Sequence, residues 1–325
     1  MKLGILGTGQ IVQDLLPVIG EIGFESISIL GTERSRTLTE ALAAKYGLAR
    51  CYFDYDEMLS SDADTIYVAL PNFLHYSFGR KALEAGKNVI LEKPAATNLA
   101  EFQELRRLAE GRKLILLEAM NIHYLPAFIG LKKDMGAIGQ VRVVSMNYSQ
   151  YSSRYDAFLD GETLPAFDPK KAGGALMDIN AYNLHFAVGL FGKPNSIRYY
   201  ATVQRGIDTS GIMALDYGDF KAVCIGAKDC QAPTRSTIQG EKGCIVIPAP
   251  VNQMTSYTVT ENKDDSQTRE FQKEHRLLCE FREFRRIIEE RDTRKVTEML
   301  DIGETVAAIM QEGRKQEGIV FGNDR

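Results

Sequence analysis

The stretch 2-KLGILGTGQIV-12 decides the fold, because it joins a strand, a glycine turn and a helix in one short segment. The apolar run 2-KLGIL-6 predicts a short buried strand, and 10-QIVQDLLPVIGE-21 has the periodicity of a helix that Pro17 kinks or ends early. The turn between them resembles GxGxxG, with Val12 at the position of the third glycine. A parallel sheet with a ligand site at its edge is the expected outcome.

The same alternation of strand and helix continues to about residue 120. Strands are predicted at 26-SISIL-30, 65-TIYVAL-70, 88-NVIL-91 and 114-LILLEA-119. Helices are predicted at 36-RTLTEALAAKYG-47, 75-HYSFGRKALEAG-86 and 99-LAEFQELRRLAEG-111, each ending at a glycine. Strands spaced by helices of this length predict βαβ units in a doubly wound parallel sheet.

From about residue 140 the pattern changes to strands with short connections. These are 141-VRVVSMNYSQY-151, 196-SIRYYATVQ-204, 212-IMALDYG-218, 220-FKAVCIGA-227 and 243-GCIVIP-248, with helices near 176–190 and 274–290. Such strands predict an antiparallel or mixed sheet in a second domain. We therefore expect one domain over residues 1–120 and a second domain over residues 121–325.

Charge, the apolar N-terminal stretch and the cysteines exclude several classes of protein. The 325 residues carry a formal net charge of −4 and no long basic run, which argues against nucleic acid and an anionic membrane surface as partners. The apolar opening breaks at glycines after a few residues, too soon for a signal peptide or membrane span. Five scattered cysteines without a CxxC pair indicate thiols in a reducing cytoplasm, with no metal site expected.

The glycine turn predicts a dinucleotide site. Gly7 allows the tight turn, and Gly9 lets the backbone approach a pyrophosphate at the helix N-terminus, where unpaired N–H groups favour anions. The predicted cofactor contacts in this turn are Gly7, Thr8, Gly9, Gln10 and Ile11. The alternative is an ordinary strand-to-helix turn.

The end of the second strand bears on the choice between NAD and NADP. Glu33 lies where a carboxylate accepts hydrogen bonds from the adenosine ribose of NAD, and Arg34 could instead pair with the 2′-phosphate of NADP, helped by Thr32 and Ser35. Both side chains could also lie in solvent. The cofactor is predicted to be NAD or NADP, with a slight lean to NAD.

Three further fragments stand in a defined order after the glycine turn: 70-LPNFLHY-76, 92-EKP-94 and 173-GGALMDINAYNLH-185. Together with 118-EAMNIHYLPAF-128 and 318-GIVFGND-324, they resemble the Gfo/Idh/MocA family of oxidoreductases. The resemblance implies a dinucleotide-binding Rossmann domain over residues 1–120. It implies that residues 121–325 form a substrate-binding and oligomerisation α+β domain with an open, mostly antiparallel sheet. It also implies a small-molecule substrate and a homodimer or homotetramer formed through the C-terminal sheet.

The resemblance gives the EKP fragment a role. It implies that Lys93 lies beside the nicotinamide ring and the substrate, where an ammonium can stabilise a developing oxyanion and pass a proton. Pro94 turns the chain away in extended conformation, and a cis peptide bond before it is plausible. Glu92 is assigned to the cofactor site, where it is expected to pair with or position its surroundings. Without the other motifs, the sequence would predict that Lys93 is a solvent-exposed lysine in a loop.

The fragment 173–185 supplies further catalytic candidates. At 100° per residue, Asp178, Tyr182 and His185 lie within about 60° on one helical face, where they could form an acid–base relay. Tyr182 is the predicted proton donor or acceptor, because the ammonium of Lys93 nearby would favour the ionised phenol. Asp178 is expected to orient the substrate or Lys93. His185 is either a second acid–base candidate or a hydrogen-bonded core residue.

The remaining candidates are placed by the carboxyl edge of the predicted sheet, where doubly wound folds bind ligands. Pro71 and Asn72 end a strand there and are assigned to the nicotinamide end of the cofactor. His75 is assigned to the same region, although it could instead cap the next helix. His123 could lie near the substrate or be structural.

These residues lead to one main hypothesis and two alternatives. The main hypothesis is an NAD(P)-dependent oxidoreductase that acts on a secondary alcohol or ketone of a sugar, polyol or related metabolite. A dinucleotide-binding sensor or regulatory protein without catalysis is an alternative, since one fold hosts many functions. An oxidoreductase that keeps and recycles a tightly bound cofactor is another.

Overall fold

The computed structural model describes residues 1–262 and 266–324. Contacts divide the chain into two compact units. The first contains Met1–Ala119 and Leu277–Glu304, and the second contains Met120–Arg276 and the chain from Thr305 onward. The sequence-based division at residue 120 does not include the return of residues 277–304 to the first unit.

The first unit contains a parallel sheet of six strands. The strands are β1 (Lys2–Leu6), β2 (Ser26–Leu30), β3 (Arg50–Tyr52), β4 (Thr65–Val68), β5 (Asn88–Glu92) and β6 (Leu116–Ala119). Their order is β3-β2-β1-β4-β5-β6, and every neighbouring pair is parallel. This is the strand order of a Rossmann fold, with the order reversing between β1 and β4. The prediction of a doubly wound parallel sheet is confirmed, although β3 was not predicted.

Five helices follow these strands in the first unit. They are α1 (Gln10–Leu15), α2 (Arg36–Tyr46), α3 (Tyr55–Leu59), α4 (His75–Glu84) and α5 (Leu99–Arg112). A 3₁₀ turn over Leu16–Glu21 continues α1, with Pro17 at its start. Pro17 has no N–H to donate, so the α-helical hydrogen bonding of α1 ends before it. Proline is compatible with the first turn of a helix, and a 3₁₀ turn follows.

The predicted helix ends are only partly right. α2 ends as expected at Gly47, which has a left-handed φ of 65°. α5 passes through Gly111 and ends at Lys113, whose φ is 57°. The prediction that Gly111 stops α5 is therefore wrong, because the left-handed capping position falls two residues later, on a lysine.

The second unit contains a mixed sheet of eight strands. The strands are β7 (Val141–Ser149), β8 (Ser196–Gln204), β9 (Ile207–Asp216), β10 (Lys221–Ala227), β11 (Arg235–Gly240), β12 (Gly243–Ile247), β13 (Ser256–Glu261) and β14 (Ser266–Glu270). Their order is β14-β13-β12-β11-β7-β10-β9-β8. The pair β7–β10 is parallel and the other pairs are antiparallel, which confirms the predicted open, mostly antiparallel sheet.

The second unit also has helices α6 (Pro126–Asp134), α7 (Tyr155–Leu159) and α8 (Ala181–Phe191). A π-turn over Leu176–Asn180 leads directly into α8. We call the π-turn and α8 together the candidate catalytic helix. A π-turn inside a helix is rare and is often found at functional sites.

Two more helices follow the second sheet: α9 (Arg276–Glu290) and α10 (Thr293–Gln316). α9 packs in the first unit, where the Phe281 ring lies 4.9 Å from the Tyr67 ring and Arg285 Nη1 donates to the Ile22 carbonyl at 2.9 Å. The first half of α10 belongs to the first unit, and the rest belongs to the second. In the part of the chain that the structure describes, no helix has the length and apolarity needed to cross a membrane.

Two residues of the fragment 318-GIVFGND-324 contact a buried arginine, Arg314. Arg314 on α10 is 1% exposed, and its Nη1 lies 2.6 Å from Asp324 Oδ2. Its guanidinium also stacks over the Phe321 ring, with 3.8 Å to the ring centroid. A buried arginine needs a counter-ion, and this fragment supplies it through Asp324.

Candidate active site

The turn after β1 has the geometry that a dinucleotide needs. Gly7 has φ of 104°, and a Cβ on it would lie 2.6 Å from the Ala69 carbonyl oxygen, so no other residue fits. Gly9 has extended backbone, and a Cβ there would meet no atom within 4 Å. The space beside Gly9 is open to a pyrophosphate. Val12 is fully buried, so it packs in the core where a third glycine would otherwise lie.

The segment after β2 presents two arginines and one glutamate. Glu33 is held by Arg36, whose Nη2 and Nε donate to its two carboxylate oxygens at 2.6 and 2.9 Å. This pairing lowers the pKa of Glu33. Arg34 is exposed and has no hydrogen-bond or ion-pair partner among the residues that the structure describes. The carboxylate that favoured NAD is therefore already engaged by an arginine.

His75 joins the two loops that follow β4 and β5. Its Nδ1 lies 2.8 Å from the Pro94 carbonyl oxygen, and its Nε2 lies 2.7 Å from the Leu70 carbonyl oxygen. The ring is fully buried, and burial lowers its pKa. His75 therefore braces the loops from inside. Pro71 is exposed and Asn72 half-exposed in the turn beside it.

Lys93 is presented by a tightly held turn at the end of β5. Glu92 is buried, accepts a short hydrogen bond from the Tyr67 hydroxyl, and accepts another from the Lys93 N–H at 3.2 Å. The Lys93–Pro94 peptide bond is cis. The Lys93 side chain is half-exposed, while its neighbours on both sides are buried. Glu92 thus anchors the turn rather than facing solvent.

Glu118 also holds this turn, and the sequence analysis did not single it out. It lies on β6, and its Oε1 accepts from the Ala95 N–H at 2.9 Å. Burial, and to a smaller degree the nearby Glu92, raises the pKa of Glu118 to about 7. Its only sequence signal was a glutamate at the end of an apolar strand.

Replacing Glu118 by glutamine should flatten the dependence of stability on pH. The pKa of Glu118 is about 7 in the folded protein and near 4.5 in the unfolded chain. The protonated carboxyl therefore stabilises the fold fully below pH 4.5, and this stabilisation is lost as the pH rises through about 7. A shift of this size corresponds to about 3 kcal/mol. Urea unfolding at pH 5 and pH 8 measures it, with the exposed Glu57→Gln as control. An unchanged difference between the two pH values in Glu118→Gln would contradict the assignment.

The candidate catalytic helix exposes two side chains at its start. From Ala175 to Val188, all within the described chain, only Asp178 and Tyr182 are not buried. The Tyr182 ring lies 6.0 Å from the Tyr148 ring, centroid to centroid. These two polar groups are the ones that the sequence predicted for acid–base chemistry and substrate orientation.

Hydrogen bonds to β9 and β10 fix this helix. Asp208 accepts from the Leu176 N–H at 2.6 Å and from the Tyr199 hydroxyl at 2.8 Å. Asn180 donates to the Cys224 carbonyl at 3.0 Å. Burial raises the pKa of Asp208 to about 6. The π-turn is therefore attached to the sheet at both of its ends.

Asp178 has a partner that the sequence did not indicate. Lys228 Nζ lies 2.8 Å from Asp178 Oδ2. Lys228 comes directly after β10, fifty residues further along the chain. No short motif links two residues at this separation.

His185 is buried, unlike Asp178 and Tyr182. It is 2% exposed, and its Nδ1 lies 3.2 Å from Nε2 of His123, which is also buried. Burial lowers the pKa of His185 to about 3, so the ring is neutral at physiological pH. The π-turn over Leu176–Asn180 changes the helical phase of Asp178 relative to α8. Tyr182 and His185 both lie in α8, where His185 is buried against His123 and Tyr182 is half-exposed.

No cluster of three or more His, Cys, Asp and Glu side chains suited to a metal ion occurs within residues 1–262 and 266–324.

Comparison with known proteins places the chain in a family. A family model described as an oxidoreductase family with an NAD-binding Rossmann fold matches residues 1–120. A second model, the GFO/IDH/MocA C-terminal domain, matches residues 133–246. The scyllo-inositol 2-dehydrogenase (NADP(+)) IolU of Bacillus subtilis (strain 168) is 34% identical, and the match covers 100% of this chain and 99% of that protein.

The chain belongs to the Gfo/Idh/MocA family.

Two other proteins extend the comparison. A trans-1,2-dihydrobenzene-1,2-diol dehydrogenase of Danio rerio is 26% identical over 100% of this chain and 99% of its own. The crystal structure of KijD10, a 3-ketoreductase from Actinomadura kijaniata in complex with NADP and TDP-benzene, has a TM-score of 0.85 at 19% identity over 97% of each chain. At that identity the likeness shows the fold.

Membership in the Gfo/Idh/MocA family makes this protein an NAD(P)-dependent oxidoreductase that acts on CH–OH groups. The residues of the turn fit a dinucleotide. Only glycine fits at position 7, and the space beside Gly9 is open. The resemblance inferred from EKP and GGALMD is thereby confirmed.

Proposed function

We propose that this protein oxidises a secondary alcohol, or reduces the corresponding ketone, in a sugar, polyol or related small metabolite. The observation that carries the proposal is the exposure of Asp178 and Tyr182 on an otherwise buried helical segment. Buried apolar surroundings with two exposed polar groups are typical of a site that orients and protonates a substrate. Its relatives with assigned activities include an inositol dehydrogenase and a dihydrodiol dehydrogenase.

Each candidate side chain has a separate role in this proposal. The bound nicotinamide supplies the hydride donor or acceptor. The Lys93 ammonium donates a hydrogen bond to the substrate oxygen and stabilises negative charge there. The Tyr182 phenol gives or takes the proton of the substrate hydroxyl, and Asp178 orients the substrate. We propose a core role for His185, since it is buried against His123.

A panel of substrates tests the proposal. Purified protein is mixed with inositols, aldoses and keto sugars in the presence of NADP or NAD, and the absorbance of reduced nicotinamide is followed. Turnover on at least one polyol or sugar is expected. Cofactor binding without turnover on any of them would support the alternative, a sensor that binds the dinucleotide but does not catalyse. Cofactor that copurifies and stays bound would point to internal recycling.

We propose NADP as the preferred cofactor, in place of the slight lean to NAD. The lean depended on Glu33, and that carboxylate is paired with Arg36. Arg34 remains exposed beside Thr32 and Ser35, in a position to pair with a 2′-phosphate. The B. subtilis relative is named as an NADP(+)-dependent dehydrogenase.

Replacing Arg34 by alanine should lower kcat/KM with NADP by about 10- to 100-fold, because a hydrogen-bonded charge pair with the phosphate is lost. The same variant with NAD is the control and should keep the wild-type kcat/KM. Steady-state kinetics with both cofactors measures the ratio. Equal losses with NADP and NAD would contradict a contact to the 2′-phosphate.

We also propose a homodimer or homotetramer formed through the open face of the second sheet. Tyr200 and Ile212 are cross-strand neighbours on β8 and β9 and are 58% and 45% exposed. Ile225 on β10 pairs with Ile212 and extends the apolar surface. An exposed apolar sheet face of this kind fits a second copy of the same chain.

Replacing Ile212 by lysine should shift the protein toward monomer, because it places charges in the core of the proposed interface. Light scattering after size-exclusion chromatography gives the mass. Leu38→Lys, at an apolar residue 42% exposed on the first unit, is the matched control and should leave the oligomer intact. A wild-type protein that is monomeric at all concentrations would contradict the interface.

We propose a cytoplasmic location. In the described chain none of the five cysteines forms a disulfide, as in a reducing compartment.

A further inference from the structure

Lys228 is a buried cation beside the candidate catalytic helix. It is 2% exposed, and its Nζ contacts Asp178 Oδ2 at 2.8 Å and the Ala166 carbonyl oxygen at 3.0 Å. The ammonium also lies 4.7 Å from the centroid of the Phe167 ring. An ammonium is buried at high cost unless it is paired and hydrogen-bonded, so these contacts together determine where it lies.

The backbone of Lys228 is fixed as firmly as its side chain. Its N–H donates to the Thr209 carbonyl at 2.8 Å, and its carbonyl accepts from the Ser152 N–H at 2.9 Å. These bonds tie Lys228 to β9 and to the chain after β7. A lysine held at both ends has little freedom, so the carboxylate that it binds is held as well.

The ion pair is asymmetric in its exposure. The Lys228 side chain is 2% exposed, whereas the Asp178 side chain is 41% exposed. A ligand can therefore meet the carboxylate but not the ammonium. Lys228 can therefore act on a ligand through Asp178, the exposed member of the ion pair.

Asp178 also lies at the middle of the π-turn, between two other attachments to the sheet. Asp208 holds Leu176 before it, and Cys224 accepts from Asn180 after it. These two bonds fix the backbone, while Lys228 fixes the carboxylate itself. The three contacts orient one side chain at the exposed start of the helix.

We propose that Lys228 is a positioning residue, which holds the Asp178 carboxylate as a fixed hydrogen-bond acceptor for a hydroxyl group of the substrate. The proposal rests on the proposed function and narrows its substrate class. A carboxylate paired with an ammonium accepts hydrogen bonds and donates none, so its substrate partner is a hydroxyl group and not a carbonyl oxygen. The substrate then carries a second hydroxyl besides the reacting one, as a vicinal diol or cyclic polyol does.

A double-mutant cycle tests the positioning role. Lys228→Met keeps the length of the side chain and removes its charge, and Asp178→Asn removes the charge of its partner. We expect each single variant to lower kcat/KM by about 10- to 100-fold. The double variant should be no worse than Asp178→Asn alone, because Lys228 acts only through that carboxylate.

The matched control is Lys221→Met. Lys221 is the first residue of β10, the strand that Lys228 directly follows; it is exposed, and its Nζ lies 2.8 Å from Asp216 Oδ1. It therefore resembles Lys228 in type and contact but not in burial. Its replacement should leave kcat/KM unchanged. If the losses in Lys228→Met and Asp178→Asn multiply in the double variant, Lys228 has only a structural role and the proposal is overturned.

Thermal unfolding supplies a readout besides activity. Asp178→Asn leaves a buried ammonium without its counter-ion, whereas Lys228→Met leaves a half-exposed carboxylate that water can solvate. We therefore expect a larger fall in Tm for Asp178→Asn than for Lys228→Met. If Lys228→Met does not fold, Lys228→Gln carries the same cycle, since its amide can still donate to Asp178 or the Ala166 carbonyl.

Failure of this inference is distinguishable from failure of the proposed function. Absence of wild-type turnover on every polyol and sugar overturns the proposed function, and the inference with it. Wild-type turnover, an impaired Asp178→Asn and a fully active Lys228→Met overturn the positioning role alone. A substrate that loses no kcat/KM on removal of its second hydroxyl overturns the proposed substrate class.

Discussion

Replacing Lys93 by alanine is expected to lower kcat by about 10²- to 10³-fold, the usual contribution of a group that stabilises developing negative charge. The variant should still bind the cofactor, because the turn at Gly7 and Gly9 is remote in sequence and unchanged. The loop itself should stay in place, since Glu92, Ala95 and Pro94 hold it through contacts that do not involve the lysine side chain. Single-turnover kinetics and cofactor titration measure the two quantities.

Lys81→Ala is the matched control for this experiment. Lys81 is an exposed lysine of the same unit, and its Nζ lies 2.6 Å from Asp56 Oδ1. It should show wild-type kcat. Intact turnover of the true substrate by Lys93→Ala would remove Lys93 from the chemistry, whatever the cofactor titration gives.

Replacing Tyr182 by phenylalanine should lower kcat by about 10²- to 10⁴-fold as well, because the substitution removes only the hydroxyl that is proposed to transfer the proton. The KM for substrate should change much less than kcat, since the ring remains. Steady-state kinetics separates the two effects. Circular dichroism should be unchanged, because Tyr182 is a half-exposed residue of a helix that other residues fix to the sheet.

Tyr148→Phe is the control, because its ring is the aromatic neighbour of Tyr182 and loses the same hydroxyl. It should retain most of its turnover. If Tyr148→Phe lost as much activity as Tyr182→Phe, the proton-transfer role could not be assigned to Tyr182. Full activity of Tyr182→Phe would require a different acid–base group.

The first sheet could be predicted well because its strands are short, buried and apolar on both faces. β1 and β2 have the predicted bounds, and β5 differs by one residue. β3 was missed because it has three residues, Arg50 to Tyr52, of which one is buried. β14 was missed because all five of its residues are exposed, so it carries no apolar alternation.

The candidate site could be predicted only where its residues stand in short motifs. Lys93 lies in EKP, and Asp178 and Tyr182 lie within one helix, so local spacing was sufficient. Glu118 and Lys228 were not singled out, since their roles depend on partners brought close by the fold. His185 illustrates the opposite limit, because local spacing placed it beside Tyr182 but could not show that His123, distant in sequence, buries it.

The return of residues 277–304 to the first unit bears on how the protein is synthesised. Phe281 covers Tyr67, and Tyr67 in turn holds Glu92 next to Lys93. A nascent chain that has reached residue 120 has all six strands of the first sheet but lacks α9. Folding during translation usually proceeds domain by domain from the N-terminus. Here the core that supports the EKP turn is completed only after the second sheet has been translated.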